Sequence, residues 1–98
     1  MPKLGLNQIA RLLNGTIVNS KKDIIFSDYY FDSRLIKDNC LFFALKTDGN
    51  DGHDYINTLN NKKSVGAIVS KDFSIKGIDI PLIQVDDTFQ AVLKLAGS

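Results

Sequence analysis

Two polar clusters interrupt otherwise apolar segments and carry the side chains best suited to chemistry. The first is Asp32-Ser33-Arg34, which directly follows the aromatic residues 29–31, and the second spans residues 46–53, after the apolar run 41–45. In an open α/β sheet, ligands bind where strands end at their carboxyl side, and both clusters would lie there. The residue types also fit a simpler interpretation, in which both clusters are surface turns whose Asp and Ser side chains cap the next element.

The glycines of the second cluster offer a weak signal for phosphate binding. Gly49 and Gly52 could bring backbone N–H groups close to a phosphate, but their spacing matches no defined phosphate loop. The sequence also lacks the G-x-x-x-x-G-K-[ST] pattern of nucleoside-triphosphate loops.

The chain offers few catalytic or metal-binding side chains. Nothing places its single histidine, His53, in a catalytic triad, and with Asp51 so close a loop-to-helix cap is the simpler interpretation. A lone histidine and a lone cysteine, Cys40, exclude an internal disulfide, a multi-thiolate metal site and a metal site built on histidines. We expect Cys40 to be a small buried filler at the start of an apolar run.

Apolar spacing predicts three helices that would position these clusters. The first covers residues 4–14 and ends at Asn14-Gly15, and the last is capped by Asp86. A weaker helix is predicted over 53–61, with Tyr55, Ile56 and Leu59 facing inward. The spacing i, i+3, i+4, i+7 predicts the inward faces of the first and last helices: Leu6, Ile9, Ala10 and Leu13; Phe89, Val92, Leu93 and Ala96.

Short β-rich runs between these helices predict the sheet. They cover residues 16–18, two stretches around Ser27-Asp28, a strand over 41–45 buried on both faces, and strands over 66–70 and 81–85. Residues 47–52 and 71–79 are predicted as loops, the second with a possible helical turn. The order predicts a single α/β domain over residues 1–98, with a partly parallel mixed sheet of about four to six strands and about three helices.

Charge and hydropathy exclude some classes of partner. The formal net charge is +1, so no basic field would attract nucleic acid and no polybasic stretch would hold a membrane surface. The simpler interpretation of the pairs Lys21-Lys22 and Lys62-Lys63 is that each lies in a solvated loop. The N-terminus lacks the apolar core of a signal peptide and no stretch is long enough to span a bilayer, so we expect a cytoplasmic protein.

An ordered set of motifs resembles the N-terminal domain of the Mur ligases, which build the peptide stem of peptidoglycan. Each motif is weak alone, but together they run in the family's order from about Leu4 to Ala96. One departure is Thr47, because the family usually has Gly after the Lys of L-K-G, and Gly49 could take over the turn. The matching motifs are Phe31-Asp32-Ser33-Arg34, Leu41-Phe42-Phe43-Ala44-Leu45-Lys46, Asn50-Asp51-Gly52-His53-Asp54-Tyr55-Ile56, Gly66-Ala67-Ile68-Val69-Ser70 and Pro81-Leu82-Ile83-Gln84-Val85-Asp86-Asp87-Thr88.

The resemblance implies a substrate-binding role for the two clusters. The opening Ile9-Ala10-Arg11-Leu12-Leu13-Asn14-Gly15 and Lys46 look most like the D-alanyl-D-alanine-adding members (MurF type), with MurE-type members and fusions of MurF to an alanine racemase as alternatives. Carried over by position, the domain would bind the UDP part of UDP-N-acetylmuramoyl-tripeptide, with Arg34 and Lys46 as cations for the pyrophosphate; Arg34 could equally pin its own turn in a salt bridge. The implied site residues are Phe31, Asp32, Ser33, Arg34, Lys46, Thr47, Asp48, Gly49, Asn50, Asp51 and His53.

The same resemblance assigns the chemical reaction to other domains of the enzyme. The ATP-dependent formation of an amide through an acyl phosphate would belong to a central ATPase domain and a C-terminal domain, which would also be this domain's partners. ATP and Mg would serve those domains, and the 98-residue chain would need no cofactor and would not be catalytic alone. Two other hypotheses are an interaction module that kept the fold without the ligand and a small hydrolase using His53.

Overall fold

The computed structural model describes residues 3–20 and 22–97. Met1, Pro2, Lys21 and Ser98 lie outside the described residues. The predictions for the N-terminus and for the pair Lys21-Lys22 therefore fall partly outside them as well. The described elements are β1 (Leu4–Gly5), α1 (Leu6–Leu13), β2 (Thr16–Val18), β3 (Ile25–Phe26), β4 (Asp28–Tyr30), a 3₁₀ turn (Ser33–Leu35), β5 (Cys40–Phe43), β6 (Lys46–Thr47), β7 (Asn50–Asp51), a 3₁₀ helix (Gly52–Leu59), β8 (Gly66–Ser70), β9 (Leu82–Val85) and α2 (Thr88–Ala96).

A five-stranded mixed sheet organises the domain, in the order β2-β9-β8-β5-β4. Strands β4, β5, β8 and β9 run parallel to one another, and β2 is antiparallel to β9. The register places Tyr29 beside Leu41 and Leu41 beside Gly66. The predicted α/β fold with a partly parallel sheet is therefore confirmed, and the carboxyl ends of β4 and β5 meet at one edge.

The interior strand β5 is buried because both faces of the sheet are covered. Leu41 and Phe43 belong to the core on the side of the two α-helices, whereas Cys40 and Phe42 pack into a second core with the 3₁₀ helix and the chain over 71–81. All four side chains are buried. A strand enclosed in this way is apolar on both faces, as the run 41–45 predicted, and Cys40 is the buried filler expected there.

The first predicted helix begins two residues late. Leu4 and Gly5 form β1, which pairs antiparallel with β3, and α1 starts at Leu6. Asn14, and not Gly15, takes the left-handed conformation at the end of α1, with φ at 53°. Asn tolerates this conformation because its short polar side chain can bond locally. The prediction that Gly15 ends the helix in this conformation was therefore wrong.

The predicted helix over 53–61 is a 3₁₀ helix over Gly52–Leu59. Ile56 and Leu59 are buried as expected, but Tyr55 is 41% exposed. A 3₁₀ helix has three residues per turn, so Ile56 and Leu59 align on one face and Tyr55 rotates out of the core. Residues 71–79 form turns without a helix.

The last helix differs from its prediction in both cap and inward face. Asp87, and not Asp86, is the N-cap, and its carboxylate accepts a hydrogen bond from the backbone N–H of Gln90. The buried residues are Ala91 and Leu95, whereas Phe89 and Leu93 are 58% and 51% exposed. Two apolar stripes compete on this helix, and packing beside α1 selects the one with the small Ala91.

Two single substitutions measure the role of the cap. We expect Asp87→Ala to lower the free energy of unfolding by about 0.5–2 kcal/mol, because the N–H of Gln90 loses its partner. The matched change Asp86→Ala removes only an exposed ion pair with Lys71 at 3.3 Å, worth at most about 1 kcal/mol. Urea denaturation compares the two variants. An equal or larger loss of unfolding free energy in Asp86→Ala would indicate that Asp86, as the sequence predicted, and not Asp87 caps the helix.

Candidate functional site

The first polar cluster and part of the second line one open cavity of about 720 Å³. Its walls are the 3₁₀ turn that follows β4, the chain that follows β5, and the 3₁₀ helix Gly52–Leu59. A volume of this size lies in the range of small-molecule sites. The predicted site residues that line it are Phe31, Asp32, Ser33, Arg34, Thr47 and Asn50.

Phe31 brings an aromatic surface to this cavity. Its side chain is 52% exposed, and its ring lies 5.4 Å from the buried ring of Phe43, tilted by 39°. This tilted contact is a favourable aromatic geometry. The buried core therefore supports an exposed ring at the site.

Arg34 forms a forked ion pair with Asp32 inside the site. Its Nε lies 3.1 Å and 3.3 Å from the two carboxylate oxygens of Asp32, and its Nη2 lies 2.8 Å from one of them. Asp32 also accepts a hydrogen bond of 3.0 Å from the backbone N–H of Arg34. The salt bridge that pins this turn is therefore present, and it holds the exposed guanidinium in one orientation.

The ion pair makes Asp32 an unusually strong acid. The side-chain hydrogen bond from Arg34, followed by its backbone hydrogen bond, lowers the pKa of Asp32 to about 2. A carboxyl whose pKa is lowered by folding contributes stability above its unfolded pKa and loses that contribution as the pH falls through its folded pKa. The ion pair should therefore survive at pH 3 and break near pH 2.

A carboxyl ¹³C NMR titration tests this pair. We expect the Asp32 resonance to titrate near pH 2 in the unmodified chain, and at a higher pH, closer to its ordinary value of 3.8, in Arg34→Gln, which loses the charge and the forked donors but keeps the backbone N–H. Arg11→Gln, on α1 and outside the cavity, should leave the Asp32 midpoint unchanged. A midpoint near 3.8 in the unmodified chain would mean that the pair does not form in solution.

The β6–β7 hairpin divides its side chains between two cavities. Thr47 pairs with Asn50 and Lys46 with Asp51. Because side chains alternate along a strand, Thr47 and Asn50 line the first cavity, and Lys46 and Asp51 line a second one of about 510 Å³. The structure therefore does not bring Lys46 to the same cavity as Arg34.

Glycines shape this hairpin at its turn and at its base. Asp48 and Gly49 form the two-residue turn, and Gly49 has φ at 77°, so it takes over the turn beside Thr47. Neither residue lines the two cavities. At the base, a Cβ on Gly52 would lie 2.9 Å from the backbone nitrogen of Leu45, so a larger residue would push the hairpin away from β5.

His53 lies beside the second cavity and holds the hairpin to the sheet. Its Nε2 accepts a hydrogen bond of 3.0 Å from the backbone N–H of Ser70, and its Nδ1 lies 2.7 Å from Asp51. Because Nε2 accepts a hydrogen bond, Nδ1 carries the ring proton, and the Nδ1–H group donates a hydrogen bond to Asp51. Both ring nitrogens are thus engaged, which leaves no free nitrogen for a catalytic base.

Asp51 also caps the 3₁₀ helix, as the sequence predicted. Its carboxylate accepts a hydrogen bond of 3.0 Å from the backbone N–H of His53. Burial alone would raise the pKa of Asp51, but the backbone and side-chain hydrogen bonds from His53 outweigh it and lower that pKa. The carboxylate therefore stays charged as the link between the helix cap and the His53 ring.

The structure adds side chains to the first cavity that the sequence did not suggest as site residues. They are Leu45, Tyr55, Thr58 and Lys62, and Gly52 of the second cluster lines the same cavity. Tyr55 donates a hydrogen bond of 3.0 Å from its hydroxyl to Oδ1 of Asn50. Lys62 supplies a second cation on the same cavity as Arg34. The low helix propensity of the Asn- and Asp-rich segment 53–61 was the available signal that Tyr55 would turn outward.

Over 3–20 and 22–97, no cluster of three or more His, Cys, Asp or Glu side chains could hold a metal ion. No helix within these ranges has the length and apolar character to cross a bilayer.

Known proteins similar to this chain are ligases whose names begin with a UDP-N-acetylmuramoyl-peptide. It is 31% identical over 93 residues to the UDP-N-acetylmuramoyl-L-alanyl-D-glutamate–2,6-diaminopimelate ligase of Geobacter metallireducens, covering 95% of this chain and 18% of that enzyme. It is 31% identical over 96 residues to the UDP-N-acetylmuramoyl-tripeptide–D-alanyl-D-alanine ligase of Escherichia coli, covering 98% of this chain and 20% of that enzyme. The chain thus spans about a fifth of these relatives. No protein-family model matches it.

Solved structures share the fold. A MurF structure from Acinetobacter baumannii superposes with a TM-score of 0.77 at 23% identity, covering 97% of this chain and 20% of that one. A second structure from the same organism, of a UDP-N-acetylmuramoylalanyl-D-glutamyl-2,6-diaminopimelate–D-alanyl-D-alanyl ligase, gives a TM-score of 0.78 at 22% identity, covering 97% and 21%.

Proposed function

Because this chain is a homologue of the Mur ligases and is most like a MurF N-terminal domain, we propose that its first cavity binds the UDP moiety of UDP-N-acetylmuramoyl-tripeptide. The observation that supports this most is that residues 31–34 share one cavity of about 720 Å³ with Thr47 and Asn50 of the second cluster. Phe31 offers a surface for the base, and Arg34 and Lys62 offer charge for the diphosphate.

The parent enzyme is proposed to be a D-alanyl-D-alanine-adding ligase of peptidoglycan synthesis, and residues 1–98 its substrate-binding domain. The parent's reaction would use ATP and Mg, and the sequence of this chain has no nucleoside-triphosphate loop. We assign both groups, and the amide-forming step, to the central and C-terminal domains of the parent. The proposed partners are therefore these domains and the UDP-sugar, and the proposed location is the cytoplasm.

A MurE-type parent is the second candidate. The diaminopimelate-adding ligase of Clostridioides difficile is 33% identical over 91 residues, and that of Geobacter metallireducens is similar to the same degree. Both types would present the same UDP group to this domain, so the proposed site is the same for either parent.

Titration of the chain with UDP, followed by amide NMR shifts, tests the site. We expect weak binding, with shifts concentrated at Ser33, Thr47 and Asn50. Arg34→Gln should weaken binding by about 10- to 100-fold, the loss of one or two charge-assisted contacts to phosphate. The matched variant Arg11→Gln, on α1 and outside the cavity, should bind like the unmodified chain. Absent shifts at millimolar UDP, or shifts spread evenly over the surface, would reject the proposed function.

A further inference from the structure

Asn50 and Tyr55 form a hydrogen-bonded pair on the wall of the first cavity. The Tyr55 hydroxyl donates to Oδ1 of Asn50 at 3.0 Å, and both residues line that cavity. They come from different elements, Asn50 from β7 and Tyr55 from the 3₁₀ helix. The contact therefore fixes the orientation of one side-chain amide relative to the cavity.

This orientation determines what the Asn50 amide can offer a ligand. A free carboxamide offers one acceptor oxygen and a donor NH₂ group. With Oδ1 engaged by Tyr55, the Asn50 amide is left chiefly with its two N–H donors. It is exposed, so these donors are accessible from the cavity.

The position of the pair suits a nucleobase. The same cavity holds the exposed aromatic ring of Phe31 and the apolar side chain of Leu45, which together suit a flat ring. A uracil base presents a carbonyl oxygen at its C4 position, where a cytosine presents an amino group. An amide that presents its N–H donors to the base would pair with the carbonyl and meet the amino group donor to donor.

We propose that Tyr55 is a positioning residue that orients the Asn50 carboxamide to donate to the C4 carbonyl oxygen of uracil, so that the site prefers a uridine over a cytidine diphosphate. This inference rests on the proposed function, because it concerns the base of the same nucleotide. It adds the choice of base and the residues that make it. Asn50 is the residue that contacts the base, and Tyr55 acts through it.

The test compares UDP and CDP as probes, by NMR titration of the 98-residue chain and its variants. We expect the unmodified chain to bind UDP more tightly than CDP. In Tyr55→Phe, the ratio of the UDP affinity to the CDP affinity should fall about fivefold, because one hydrogen bond is lost. In Asn50→Asp, the ratio should shift toward CDP relative to the unmodified chain, since a carboxylate only accepts hydrogen bonds. Tyr30→Phe removes a hydroxyl outside the cavity and should change nothing.

The outcomes separate this inference from the proposed function. If the unmodified chain binds neither UDP nor CDP, the proposed function fails and the inference fails with it. If it binds UDP, but Tyr55→Phe keeps the full preference or Asn50→Asp leaves the ratio unchanged, only the inference is rejected. Because Tyr55 is 41% exposed and Phe keeps its ring, a folded Tyr55→Phe variant is expected, and its amide spectrum verifies this in the same samples.

Discussion

Replacing Phe43 by alanine is expected to lower the free energy of unfolding by about 3–5 kcal/mol, the range for a fully buried phenylalanine. Phe43 is completely buried in β5, in the core beneath the two α-helices. Since native proteins have only about 5–15 kcal/mol in total, this single change should remove a large share of the stability of the domain. Urea denaturation followed by circular dichroism measures the loss.

The exposed partner of Phe43 provides the matched control. Phe31 contacts the Phe43 ring at 5.4 Å but is 52% exposed, so Phe31→Ala should cost only about 1 kcal/mol, the value of the aromatic contact. The two variants also separate stability from binding, because Phe31→Ala should fold and yet bind UDP more weakly. Equal losses of stability in the two variants would contradict the burial difference on which the prediction depends.

Replacing His53 by alanine is expected to destabilise the chain by about 1–3 kcal/mol, because it leaves polar groups without their partners. The Ser70 N–H loses the Nε2 acceptor at 3.0 Å, and Asp51 loses the Nδ1–H donor at 2.7 Å. Hydrogen exchange of the Ser70 amide should accelerate, since that single N–H reports directly on the link between the hairpin and β8.

Asp54→Ala is the control for His53. Asp54 is an exposed neighbour on the same 3₁₀ helix, so its removal should change stability by no more than about 0.5 kcal/mol. Denaturant titration and exchange at Ser70 can be run on both variants side by side. Unchanged Ser70 exchange in His53→Ala would show that the ring does not bond the strand in solution.

Several elements could be predicted from the sequence because each depends on local chemistry. The strand over 66–70 matches β8 residue for residue, since a run this short, with β-branched Ile68 and Val69 and polar residues at its ends, favours a strand over a helix. The capping role of Asp51 toward His53 was also predictable from their spacing. Both signals lie within a few positions along the chain.

Other features depend on contacts between distant segments and could not be predicted in this way. The inward face of α2 follows from its packing beside α1, which prefers Ala91 and Leu95 over Phe89 and Leu93. Lys62 reaches the first cavity only because the 3₁₀ helix brings it opposite the turn of Arg34. Neither placement leaves a periodic signal in the sequence.

The alternation along the β6–β7 hairpin has a consequence for how this protein can evolve. Because Lys46 and Asp51 face one cavity while Thr47 and Asn50 face the other, substitutions on one side can accumulate without altering the lining of the opposite side. An inserted or deleted residue has a different effect, since a shift by one position moves every following strand side chain to the other face. Changes of residue type on the two faces are therefore independent of each other, while the length of this short segment is held fixed.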